Sequence, residues 1–400
     1  MRLCFVVQRY GTEVNGGAEA YARQVAEHMA SIGGHDVSCI TTKAVDYVTW
    51  KNEYEKDEED INGVHVYRFP VIKERDTASF NKLSARILTS PSTVEEQEEW
   101  MRQQGPNSPA LADFVESVKD DYDCFIFVCY LYYSTYFGLP RVKDKAILIP
   151  TAHDEAPIYL DIFNKMFSYP AAFYYNTVEE KELTNDLFDV TGKPDNDGRG
   201  GVGIELPSKI DPEGFKQKFG VDDFFIYVGR IDENKCCNIL FDYFAEYKKR
   251  NPDSKTKLVL MGKEVIEVPK RDDIISLGFV SEEDKFSGIA ASRFLVLPSR
   301  FESLSIVVLE AMALGKPVLV NGNCDVLEGH VKRSDAGFYY RNFFEFEGEL
   351  NWLLDPSNAA TVSAMGQNGI KYVDENYSWK EIVRGYTELC QKVIDRSSAR

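Results

Sequence analysis

Short runs of β-branched and aromatic residues, separated by loops and helical patterns, recur along this chain and stop at TGKPDNDGRGGVGIE (191–205). Beyond that stretch they begin again. The first series is LCFVVQ (3–8), VSCITT (37–42), VHVYRF (64–69), CFIFVCYL (124–131), AILIPTA (146–152) and AFYYNT (172–177). The second is FFIYVG (224–229), KLVLMG (257–262), IISLGFV (274–280), FLVLP (294–298) and PVLVNG (317–322). Runs of this kind, alternating with helical patterns at 19–31, 179–188, 239–250 and 282–292, imply parallel sheets covered on both faces. The stretch 191–205 is dense in Gly, Pro and Asp and reads as a linker. The expectation is therefore α/β, with two Rossmann-like doubly wound domains over 1–200 and 201–376. A last amphipathic helix pattern at 377–394 lies in a terminal segment, 377–400.

Net charge is −18 over 400 residues. Such a surface repels nucleic acid and anionic lipid, which excludes a nucleic-acid binder. The acidic blocks EYEKDEED (53–60) and EEQEEW (95–100) read as solvated faces. No window is long and apolar enough for a transmembrane helix, and the chain enters a strand-like run at once, without a signal-peptide layout. Eight cysteines include no C-x-x-C pair and no Cys/His set at zinc spacing, so no metal centre is expected and the compartment reads as reducing and cytoplasmic.

In open parallel sheets, ligands bind beyond the carboxyl ends of the strands. Gly16-Gly17 follows the first strand and opens a helix, where amides can approach an anion closely; a plain turn explains it equally well. His153, in TAHDEAP, ends another strand and could bond a substrate hydroxyl, or could simply be held by Asp154 and Glu155. GRIDENK (229–235) brings Arg230 and Lys235 to the exit of FFIYV, a fork and a point charge suited to a diphosphate, unless Asp232 and Glu233 neutralise them. In RFESLSIVVLEAMALGKPVLVNG, seven residues separate Glu302 from Glu310. Residues 304–314 have helical composition, which would direct the amides of Ser303, Leu304 and Ser305 toward the sheet edge as an anion site. On one continuous helix the two carboxylates would stand about 12 Å apart, with ~80° between them. They could not share a metal, but could contact two ends of an extended ligand. A carboxylate in an apolar helix otherwise needs a structural partner. Asp195-Asn196-Asp197 spells D-x-D, yet it lies in the linker, away from a strand end, where a metal-binding role is disfavoured.

In this order, Gly16-Gly17, His153, GRIDENK and E302-x7-E310 followed by AMALGKPVLV resemble the family-4 retaining glycosyltransferases of the GT-B fold. The resemblance covers nearly the whole chain. It implies two domains facing a central cleft and a terminal helix crossing back to the N-terminal, acceptor-binding domain. The C-terminal domain would bind a nucleotide-diphosphate sugar as substrate, with no cofactor and no metal. By matching position, Arg230 and Lys235 would bind the diphosphate and Glu310 the ribose. Glu302 would hold sugar hydroxyls, and the amides of Ser303, Leu304 and Ser305 would contact sugar or phosphate. His153 would contact the sugar near its reacting face. Gly16 and Gly17 would pack near phosphate and acceptor, and the base would rest near Gly278, Phe279 and Val280. The implied reaction is retaining hexosyl transfer from GDP-mannose or a UDP-hexose to a saccharide or lipid-linked glycan in polysaccharide synthesis, with peripheral contact at the inner membrane face allowed. A nucleotide-sugar epimerase and a silent sugar-nucleotide binding module are the alternatives. Two departures from the pattern stand out: after Ser303, Leu304-Ser305-Ile306 stands where Phe-Gly-Leu is common, and Cys236 stands where glycine is common after the lysine.

Overall fold

The computed structural model describes residues 1–14 and 16–398; Ala399 and Arg400, the end of the expected terminal segment, lie outside that range. The chain divides into two compact units. Met1–Val202, together with the chain from Trp379 on, forms the first, and Gly203–Ser378 forms the second.

Seven strands build the first sheet: β1 (Arg2–Val6), β2 (Asp36–Thr42), β3 (Glu58–Ile61), β4 (Val64–Phe69), β5 (Cys124–Val128), β6 (Ala146–Ile149) and β7 (Ala172–Phe173). Their order is β3-β4-β2-β1-β5-β6-β7, parallel throughout except where β3 meets β4. Leu3 lies beside Val37 on one side and Cys124 on the other, and residues 3–6 are wholly buried, which is why this strand is apolar at consecutive positions. The strand order reverses between β1 and β5, making a switch point there.

The second sheet has six strands: β8 (Phe224–Val228), β9 (Lys257–Met261), β10 (Ile274–Ser276), β11 (Leu295–Leu297), β12 (Val318–Asn321) and β13 (Gly337–Tyr340). All are parallel, in the order β10-β9-β8-β11-β12-β13, so the switch point lies between β8 and β11. Two doubly wound sheets of this kind are the GT-B arrangement.

Helix Trp379–Ser398 belongs to the first unit. It buries Trp379, Ile382, Val383, Tyr386, Leu389, Cys390 and Val393, one stripe at helical spacing. The Tyr386 ring stacks on Tyr174 at 3.6 Å, and its hydroxyl lies 2.5 Å from that of Tyr21. Trp379 stacks on His28, and the Cys124 thiol points at the Cys390 carbonyl.

Four expectations need correction. EYEKDEED is not only a solvated face: Glu58–Ile61 is an antiparallel edge strand, turned into β4 by Asn62 and Gly63, whose φ angles of 49° and 86° suit a two-residue hairpin. EEQEEW lies in helix Val94–Gln104, which buries Gln97, Trp100 and Met101. The stretch 191–205 is no free linker up to Val202. Asn196 bonds both the amide and the carbonyl of Tyr175, Pro194 accepts from Phe173, and Val202 is buried. Finally, the helix after β11 starts later than its composition suggests, at Ile306, and ends at Ala313. Glu302, Ser303, Leu304 and Ser305 belong to the loop before it. The opening amides of that helix are therefore those of Ile306 and Val307, and no continuous helix spaces Glu302 from Glu310.

Candidate functional site

At the exits of β8, β9 and β10, backbone takes the place of side chains. Gly229 N–H donates to Met261 O at 2.9 Å, and Gly262 N–H to Gly278 O at 2.8 Å. A Cβ on Gly262 would fall 1.8 Å from the Gly229 carbonyl oxygen, so that approach requires glycine. Phe279, next to Gly278, is 75% exposed, and Val280 is partly buried beside it.

Asp232, nearly buried, organises the loop after β8. Its carboxylate accepts from the Lys235 amide at 2.8 Å and from the Arg230 guanidinium. Arg230 is thus bound by its neighbour, as GRIDENK allows, while its side chain stays 48% exposed. Lys235 turns elsewhere: its Nζ lies 2.7 Å from Glu302 Oε1, on the loop after β11. Two residues 67 positions apart in sequence meet across the switch point of the second sheet.

The loop after β11 is folded tightly. Ser299 Oγ donates to Phe301 O, Leu304 is buried, and Ser305 caps helix Ile306–Ala313 with left-handed backbone, φ 65°. The Ser305 hydroxyl is buried without a hydrogen-bond partner. Cys236 is left-handed too, φ 56°, where helix Cys237–Arg250 begins. Glu310 does not join Lys235 or Arg230. It pairs at 2.9 Å with Lys285 of helix Glu282–Ala291, and Lys285 also reaches Glu282 at 2.7 Å. Burial works to raise the Glu310 carboxyl while Lys285 opposes it. For Lys285, burial works against the charge, but the two carboxylates outweigh it and raise its pKa. The sequence offered no sign of Lys285, because its partner lies 25 residues away on another helix.

In the first unit, Gly16 precedes helix Gly17–Ser31. Beside it lies a buried ion pair absent from the sequence reading, Arg9 with Glu19 at 2.7 Å, and Arg9 Nη1 also donates to Val45 O. A Cβ on Gly16 would come within 2.1 Å of Glu19 Oε2, whereas one on Gly17 would meet nothing. Of the two glycines, only Gly16 is crowded, and by the Glu19 carboxylate. His153, after β6, has Nδ1 3.3 Å from Thr151 O and Nε2 3.4 Å from Glu155 Oε2, and Tyr130 donates to Glu155 at 2.9 Å. Glu180 was also missed. It is buried at the start of helix Val178–Leu187 and accepts from the amides of Ala152, at 2.7 Å, and Asn176, at 2.5 Å, tying the exits of β6 and β7. Burial pushes its carboxyl up to about 8, against those amides and His153.

The D-x-D stretch is occupied internally: Lys181 bridges Asp195 at 2.8 Å and Asp197 at 3.0 Å. Among the described residues, no group of three or more His, Cys, Asp and Glu could hold a metal ion, and no helix is long and apolar enough to cross a membrane. All eight cysteines are free.

The family described as glycosyl transferases group 1 matches residues 222–354. The uncharacterized glycosyltransferase MJ1607 of Methanocaldococcus jannaschii is 24% identical, over 96% of both chains. The alpha-D-kanosaminyltransferase of Streptomyces kanamyceticus is 32% identical over 28% of this chain and 32% of its own length. Among solved structures, the sucrose-phosphate synthase of Thermosynechococcus elongatus superposes with a TM-score of 0.69 at 16% identity, covering 99% of this chain and all of that one.

Proposed function

We propose that this chain, which has the GT-B fold and is related over residues 222–354 to the group 1 glycosyl transferases, is a retaining, metal-independent hexosyltransferase. Its donor is a nucleotide-diphosphate sugar, GDP-mannose or a UDP-hexose, and its acceptor a saccharide or lipid-linked glycan. The observation that carries this reading is the Lys235–Glu302 pair at the switch point between β8 and β11. A diphosphate would take Lys235 and Arg230 from their carboxylate partners, freeing Glu302 for the donor sugar's hydroxyls. Glu310 would take the ribose hydroxyls, with Ser303, Leu304 and Ser305 beside sugar and phosphate and Gly278, Phe279 and Val280 near the base. In the first unit, His153 is assigned to the sugar, and Gly16 and Gly17 to phosphate and acceptor.

Breaking the bond between the anomeric carbon and phosphate oxygen leaves negative charge on the diphosphate and oxocarbenium character on the sugar. Lys235, Arg230 and the opening amides of helix Ile306–Ala313 would stabilise that charge without a metal. The acceptor hydroxyl attacks from the face the leaving group departs, and its proton passes to the leaving phosphate oxygen. The reaction belongs in the cytoplasm, with peripheral contact at the inner membrane face if the acceptor is lipid-linked.

Thermal shift with UDP, GDP and their sugars tests the assignment, since a bound ligand raises apparent stability. Lys235→Ala and Glu310→Ala are expected to abolish the shift that wild type shows and to lose turnover. Wild-type shifts in both variants would defeat the site, and an inverted linkage by NMR would defeat retention.

A further inference from the structure

Helix Asp325–Ser334 buries His330 completely, with both ring nitrogens engaged. Nε2 lies 2.8 Å from Leu304 O, and Nδ1 lies 3.1 Å from the Tyr372 hydroxyl of helix Ala359–Asn376. A carbonyl only accepts, so Nε2 carries the proton and Nδ1 accepts from Tyr372. The Tyr372 hydroxyl accepts in turn from Arg333 Nε at 3.3 Å. These bonds run one way, from Arg333 through Tyr372 and His330 to Leu304, with the Tyr377 hydroxyl also 3.5 Å from that of Tyr372, and bonds in such a chain strengthen one another. Burial, then the Arg333 charge, pushes the His330 pKa down to about 4, so the ring is neutral near neutral pH and keeps this tautomer.

Leu304 stands between Glu302 and Ser305. Left-handed backbone at a serine persists only when its surroundings hold it there. The buried Leu304 side chain and the bond to its carbonyl supply that hold, and the bond comes from His330, outside the loop. We propose that His330 is a positioning residue for donor binding: through the Leu304 carbonyl it sets Glu302 toward Lys235 and fixes Ser305 at the helix start. It touches no ligand itself. This inference rests on the donor-site reading above.

Calorimetric titration of UDP and GDP into wild type, His330→Ala, His330→Gln and Tyr372→Phe tests it, with the melting temperature of each variant measured alongside. His330→Ala is expected to weaken binding of whichever nucleotide wild type takes by about tenfold, the value of one lost hydrogen bond. His330→Gln, which restores a donor to Leu304 O, is expected to recover most of it. Tyr372→Phe, which leaves the buried Nδ1 without its donor, should give a smaller loss of affinity and a modestly lower melting temperature. The ring Nε2–H signal of His330 in wild type should also move when the nucleotide is added, which a merely structural histidine would not show. Wild-type affinity in folded His330→Ala overturns the inference, as does a ring signal unmoved at saturation. Should His330→Ala not fold, wild-type affinity in Tyr372→Phe together with an unmoved ring signal overturns it. Lys235→Ala separates the two levels. If it binds as wild type, or if neither nucleotide binds wild type, the donor site falls and this inference with it. If Lys235→Ala weakens binding and His330→Ala does not, only the inference falls.

Discussion

Cys236 and Ser305 both have left-handed backbone, a conformation that glycine adopts most readily. A Cβ there costs on the order of 1 kcal/mol, and β-branching adds to it. Cys236→Val should lower the stability measured by urea unfolding by about 1–2 kcal/mol, whereas Cys236→Gly should leave it unchanged or slightly raised, glycine's chain entropy offsetting part of the gain. Glu180 gives a pH dependence whose sign is fixed. Its carboxyl is raised from 4.5 to about 8 on folding, so the native state binds its proton more tightly than the unfolded chain does. Relative to Glu180→Gln, wild type should lose stability as pH climbs from about 4.5 through about 8, followed by melting temperature across that range. Arg230, Lys235, Glu302 and Glu310 were legible because each is a charge just past an apolar strand or inside an apolar helix. Lys285, Glu180 and the Arg9–Glu19 pair were not, because their contacts are made by folding rather than by spacing.

Elements show a similar division. Most strands announced themselves as apolar runs, since a strand covered on both faces has little room for polar residues. The exceptions have local causes. β3 carries EEDI at a sheet edge, where charge is tolerated, and the Asn62-Gly63 turn beside it was the signal to read. The start of helix Ile306–Ala313 was misplaced because Leu304 and Ser305 fit a helix by composition, whereas Ser305 has left-handed backbone and its side chain makes no cap bond. Glu310 in that helix is explained at this scale too, since its pair with Lys285 joins two neighbouring helices. Lys285→Met should cost about 3 kcal/mol by leaving a buried carboxylate unpaired, and adding Glu310→Leu should restore most of that. If Glu310 also serves the donor, the double variant will be stable by urea unfolding and still fail to bind nucleotide.

For the whole molecule, the division into two doubly wound units follows from the break in composition near residue 200, although the chain there is packed against the first sheet up to Val202. The terminal helix is part of the first unit's core and not an appendage. Truncation after Ser378 removes seven buried side chains worth on the order of 10 kcal/mol, as much as a domain's whole stability. In calorimetry the truncated chain should lose the first unit's transition and keep that of the second. The second unit, whose ends are joined by a bond from Ile204 N–H to Tyr377 O at 2.8 Å, is a self-contained insertion. At the ribosome this reverses the usual order. The part that emerges first is completed last, and Tyr21, Tyr174 and Cys124 stay open to chaperones until the chain has been made past residue 390.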